Sequence, residues 1–140
     1  MRSLLLGSIA LALVGCASEA AVTNDAAAVE EMAAASVVTI EASALADRIA
    51  AGEVQLIDVR TPEEYAEGHI EGAILMPVDE FDPAAIPAAE GKETILYCRS
   101  ARRSELAATM LSEATGETAV HLEGGIIAWQ EAELPVVTPQ

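Results

Sequence analysis

Positive charge is scarce in this sequence. Lys and Arg supply 7 of its 140 residues against 23 Asp and Glu, a formal net charge of −16. A surface so acidic repels phosphate backbones and anionic membrane faces, which excludes ordinary nucleic-acid binding and docking onto an anionic bilayer. An anionic small molecule would need a local cationic site. Aromatic residues are also few, at 3%, while hydrophobic residues reach 52%, so a core of ordinary size is expected and it is aliphatic. Two cysteines and two widely separated histidines offer neither a disulfide framework nor a metal-ligand cluster. No phosphate-binding glycine-lysine loop and no dinucleotide fingerprint occur. No metal and no cofactor are therefore expected.

No apolar run approaches the ~20 residues that span a bilayer. The one near the start, Leu4 to Val14, has 11 residues and follows a single cation at Arg2. It suits the hydrophobic segment of an export signal. The run ends in Leu13-Val14-Gly15-Cys16, which resembles the lipobox of bacterial lipoprotein signals. The resemblance implies a leader over residues 1–15, lipidation of Cys16, and a periplasmic chain whose only hold on a membrane is that lipid. Ala17, rather than an aspartate, favours the outer membrane. The plainer alternative is a secretory signal with an incidental cysteine. Residues 16–35, alanine-rich and acidic, read as a tether, and residues 36–138 as one compact domain. With Cys16 lipidated, Cys98 is a lone thiol in an oxidising compartment: inert, bridged to another chain, or reactive.

Within the domain, short apolar runs alternate with helical patterns. Strands are expected at Val37–Ile40, Val54–Val59, Ala73–Met76, Thr94–Tyr97 and Thr118–Leu122. A first helix is expected with Ser43 as N-cap and Gly52 as its stop. A second follows from Thr61 as N-cap, Pro62 at the first helical position, Glu64 as capping-box partner and Gly68 as stop. Asp82-Pro83 opens a short helix, Arg103–Ala114 a longer one, and the segment after Gly124-Gly125 a last one carrying Trp129. Such alternation predicts an α/β fold, a parallel sheet with helices on both faces and its chemistry at the carboxyl ends of the strands.

Cys98 lies at such an end, just before a helix, and three of the seven cations follow it in Cys98-Arg99-Ser100-Ala101-Arg102-Arg103. The first amides of a helix lack intrahelical partners, and the helix dipole places partial positive charge there. A tight loop can turn such amides inward as an anion cradle. A cysteine at its floor has a lowered pKa and a thiolate available near neutral pH. A persulfide would suit the same cradle, and the arginines can guide an anionic donor to it. An incidental basic helix start beside an inert cysteine is the competing explanation, but three arginines there oppose the dipole.

The domain resembles the rhodanese, or sulfurtransferase, family over about residues 37 to 137. Three blocks carry the likeness: Leu56 to Pro77 (LIDVRTPEEYAEGHIEGAILMP), Tyr97 to Ser104 (YCRSARRS) and Val120 to Val136 (VHLEGGIIAWQEAELPV). The resemblance implies a five-stranded parallel sheet and a Cys98 persulfide cycle. A donor such as thiosulfate loads one sulfur onto Cys98, and a thiol or cyanide removes it. Arg99, Ser100, Ala101, Arg102 and Arg103 would bind the substrate. A carrier that holds sulfur for a protein partner with little turnover on small molecules is the alternative, and an inactive structural domain is a third. Cysteine phosphatases need an arginine six positions after the cysteine, and that position is Ser104 here; Arg103 stands one residue short. The family loop often has glycine where Ala101 stands. If that position has positive φ, alanine costs ~1 kcal/mol or more.

Other residues admit a plainer role. Asp58 and Arg60 are expected chiefly to pair and brace loops, with Arg60 near the substrate mouth as the functional alternative. His69 is expected to be satisfied by backbone. His121, near a strand end, is a possible support of the loop. Tyr65 and Trp129 are expected in the core, and Glu123-Gly124-Gly125 at a turn beside the active loop.

Overall fold

The computed structural model describes residues 35–139. The expected leader over 1–15, lipidated Cys16, Ala17, and the tether as far as residue 34 lie outside the described residues.

The elements run β1 (Val37–Ile40), α1 (Ala42–Ala50), β2 (Val54–Asp58), α2 (Pro62–Glu67), β3 (Ile74–Leu75), two 3-10 turns (Val78–Glu80 and Pro83–Ala85), β4 (Glu93–Tyr97), α3 (Arg102–Thr115), β5 (Ala119–Leu122) and α4 (Gly125–Glu131). The five strands form one sheet in the order β1-β5-β4-β2-β3, every pair parallel. The expected α/β class with a five-stranded parallel sheet is what the chain adopts.

Strand periodicity sorts the core into two layers. On β4, Ile95 and Tyr97 point to one face, with Leu45 of α1, Leu122 of β5 and Ile126 and Trp129 of α4. Leu96 and Cys98 point to the other, with Ile57, Val59, Phe81 and Ala107 and Ala108 of α3. Helices therefore cover both faces, and Cys98 belongs to the α3 side. Small alanines on α3 let it lie close to the strands that carry the thiol.

Local signals explain most element ends. Thr61 caps α2 through a reciprocal capping box with Glu64, with Pro62 in the first turn. Asp82 caps the turn at Pro83 by accepting from the Ala84 amide at 2.9 Å. Gly116 closes α3 in the left-handed region. One expectation fails: Ser43 is not an N-cap. Helix α1 starts at Ala42 after Glu41, which makes no side-chain cap. The buried pair Ala42 and Leu45, one turn apart, sets where the helix begins on the sheet. The 3-10 turn at Val78–Glu80 carries no sequence signal beyond Pro77.

Candidate active site

Strand β4 is central, with β2 on one side and β5 on the other. It delivers Cys98 to the carboxyl edge of the sheet, where the chain turns through Arg99-Ser100-Ala101 into α3. Cys98 is a free thiol, 1% exposed. The Ala101 amide donates to its sulfur at 3.2 Å. Burial pushes the thiol up, but the polar groups of Ser104, Ser100 and Ala101 around it outweigh burial, so its pKa falls below the ordinary value. One loop amide, that of Ala101, is thus turned onto the thiol, and Ser104 stands in the first turn of α3 behind it.

Two features shape the loop. Ala101 takes φ 92°, a conformation that favours glycine. Its carbonyl is held as firmly as its amide, accepting from the Ser104 hydroxyl at 2.8 Å and from the Glu105 amide at 2.8 Å. Opposite, the start of α4 presses on the loop. The Ile126 amide donates to the Cys98 carbonyl at 2.8 Å and the Ile127 amide to the Arg99 carbonyl at 3.2 Å. A Cβ on Gly125 would sit 2.5 Å from both carbonyl oxygens, so only glycine permits this approach. Gly124-Gly125 therefore shapes the active loop as well as its own turn.

The arginines divide into two kinds. Arg103 is clamped by Glu64, its two terminal nitrogens donating to the two carboxylate oxygens at 2.6 and 2.7 Å. That hydrogen bond is the largest influence holding the Glu64 carboxyl down at about 2. Arg103 therefore stands near the thiol with two of its five N–H donors engaged by Glu64. Arg99 and Arg102 are exposed and form no ion pair among the described residues. Arg99 also lines a cleft of about 430 Å³ beside the loop, together with Arg60, Glu64, Gly68, Ile126 and Gln130.

Asp58 and Arg60 form a buried pair, Nη2 to Oδ2 at 2.6 Å and Nε to Oδ1 at 2.9 Å. Arg60 also donates to the Gly68 carbonyl at 2.8 Å. Burial works against its charge, but Asp58 outweighs burial and raises its pKa. The pair ties the end of β2 to the end of α2, and Arg60 reaches the cleft wall without leaving its partner. His69 stacks on Tyr65, and its Nδ1 lies 3.0 Å from the Tyr65 carbonyl. Trp129 is buried and donates to the Pro135 carbonyl at 2.9 Å. His121 approaches the loop through Ser104, with Nδ1 and Oγ 3.3 Å apart.

Two contributors escaped the sequence reading. Ser104 entered only as a position that is not arginine, and Glu64 only as a cap. The signal for Ser104 was its place: the third residue of a helix starting at Arg102 carries a free amide beside the loop. No sequence signal ties Glu64 to Arg103.

The family model for the rhodanese-like domain matches residues 41–132. A sulfurtransferase of Allochromatium vinosum is 35% identical over 102 residues, covering 72% of this chain and 95% of that protein. An uncharacterized protein of Synechocystis is 46% identical over 84 residues, covering 60% of this chain; the match spans less than half, 47%, of that longer protein. The crystal structure of a rhodanese-related protein from Thermoplasma volcanium superposes with a TM-score of 0.64 at 32% identity, covering 72% of this chain and 98% of the other. The chain belongs to the rhodanese-like domain family.

Proposed function

We propose that the protein is a sulfurtransferase that moves sulfane sulfur from an anionic donor such as thiosulfate to a cyanide or thiol acceptor through a persulfide on Cys98. One observation carries this reading: a buried free thiol with a lowered pKa accepts a loop amide at the head of a segment that carries the exposed Arg99 and Arg102. Membership of the family and likeness to a sulfurtransferase support transfer of sulfur in general. The Cys98 thiolate attacks the outer sulfur of thiosulfate. A new S–S bond forms, the S–S bond of thiosulfate breaks, and its electron pair leaves with sulfite. The persulfide carries the charge into the same loop. Cyanide or a thiolate then attacks the outer sulfur and restores the Cys98 thiolate. Arg99 and Arg102 attract the donor against the acidic field.

Steady-state thiocyanate formation from thiosulfate and cyanide tests this. Wild type turns over repeatedly and Cys98→Ser does not. The double change of Arg99 and Arg102 to alanine raises KM for thiosulfate several-fold at low ionic strength, and added salt then matters less than in wild type. A single transfer followed by arrest assigns the protein to the carrier role instead. No transfer at all, with any sulfane donor, removes both roles.

A further inference from the structure

The cleft beside the active loop has one hydrogen-bond donor to spare. Its apolar side is Ile126 and Ile127, whose amides donate to the carbonyls of Cys98 at 2.8 Å and of Arg99 at 3.2 Å, so cleft and loop are joined. Arg60 lines the cleft and is only 5% exposed. Its Nε and Nη2 are engaged by Asp58 and the Gly68 carbonyl, while Nη1 makes no hydrogen bond among the described residues. No buried side-chain nitrogen or oxygen there lacks a partner, so Nη1 keeps an opening to solvent. A guanidinium held rigid by Asp58 therefore offers its remaining edge to a ligand in the cleft.

The charges around the cleft nearly cancel. Arg60 is paired with Asp58, and Glu64 with Arg103. The other two charged lining residues, Arg99 and Glu67, are exposed and form no ion pair among the described residues. A free cation, a free anion and a buried N–H donor beside an isoleucine surface match a zwitterion with a short apolar arm. A purely anionic ligand would meet the field of a chain at −16, whereas a zwitterion has no net charge to be repelled. The volume of about 430 Å³ is that of a small-molecule site and is too small for a folded partner.

We propose that this cleft receives the sulfur acceptor, and that the acceptor is a small thiol ending in an α-amino-acid group, of which cysteine is the smallest. Its carboxylate meets Arg60 Nη1 and Arg99, its ammonium meets Glu67, and its thiol arm runs along Ile126 and Ile127. Arg99 follows Cys98 directly in the chain, so the arm reaches the sulfur past that residue. The transfer step rests on the sulfurtransferase reading, but binding in the cleft does not. In that step the acceptor thiol gives its proton to water, and its thiolate attacks the outer sulfur of the Cys98 persulfide. A new S–S bond forms on the acceptor, the Cys98 S–S bond breaks, and its electron pair stays on Cys98 as the thiolate. The product leaves as an amino-acid persulfide.

Binding is read without sulfur transfer, from amide NMR shifts of the full chain carrying Cys16→Ser during titration with S-methylcysteine, whose thioether cannot accept sulfur. Saturable shifts are expected at Ile126, Ile127 and Gly68. Methylthiopropionate, which lacks the ammonium, binds roughly two- to fivefold more weakly. Methylthioethylamine, which lacks the carboxylate, binds roughly tenfold more weakly. Glu67→Gln abolishes the first preference and keeps the second. No saturable shift, or one affinity for all three ligands, would overturn the proposal. In turnover with thiosulfate, Glu67→Gln raises KM for cysteine by more than it raises KM for cyanide; an equal rise for both overturns the acceptor role. Saturable binding with no sulfur loaded onto Cys98 by any donor keeps the amino-acid site and overturns its use by an acceptor, which separates failure of the cleft from failure of sulfur transfer.

Discussion

Ala101 is the residue at which this loop departs from easy backbone geometry. Its φ of 92° carries the steric cost of a Cβ in a region natural to glycine. The amide and carbonyl on either side are nevertheless committed, one to the Cys98 sulfur and the other to Ser104 and Glu105. These bonds hold the strained residue in place and aim its amide at the thiol. Ala101→Gly is therefore expected to stabilise the domain by ~1 kcal/mol and to raise its melting temperature by roughly 4–8 °C, with no loss of turnover. A lower melting temperature would show that the alanine conformation is unstrained. At this scale the sequence singled out Cys98 at a strand end and raised the question about Ala101. It could not reveal which arginines are free. The partner of Arg103 lies 39 positions away, and only the packing of α2 beside the start of α3 brings Glu64 to it.

That contact makes Glu64 a hinge pin between two elements. One carboxylate accepts the Thr61 amide at 3.1 Å, completing the cap of α2, and grips Arg103 in the first turn of α3. Its pKa, held at about 2 against an ordinary value of 4.5, defines an acid-linked contribution to stability. The folded-state value is depressed, so the contribution is fully present above the unfolded pKa near 4.5 and is lost as pH falls through about 2. Both side chains keep a quarter to a third of their surface in water, which reduces the effect to ~1–2 kcal/mol. Glu64→Gln should lower stability at neutral pH by about that amount and flatten the decline between pH 4.5 and 2. Acid titrations followed by circular dichroism will show it; identical acid limbs in both proteins would contradict the linkage. The elements themselves were largely legible. Capping residues marked α2, and runs of strand formers marked β4 and β5. The start of α1 was missed because burial of Ala42 and Leu45, a tertiary effect, overrides the serine that a local reading prefers.

For the whole molecule, alternation of strands and helices was enough to identify the architecture, because a parallel sheet must be crossed by helices on both faces. The order β1-β5-β4-β2-β3 was not legible, since every strand is a short apolar run and nothing local says which neighbours it takes. The net charge of −16 gives the site its context: beside Cys98, Arg99 and Arg102 are exposed and form no ion pair among the described residues, which sets this loop apart from the acidic remainder. We propose that a lipid on Cys16 tethers this domain to the periplasmic side of a membrane, with the outer membrane favoured. Cys16→Ser should then shift the protein from the membrane to the soluble fraction, and an unchanged distribution would refute the anchor. The central claim concerns Cys98, and the most direct measurement is the intact mass of the Cys16→Ser chain after incubation with thiosulfate and removal of excess donor. The account predicts a gain of one sulfur atom that cyanide removes and that Cys98→Ser abolishes. An unchanged mass with thiosulfate and with other sulfane donors, or the same gain in Cys98→Ser, would contradict it.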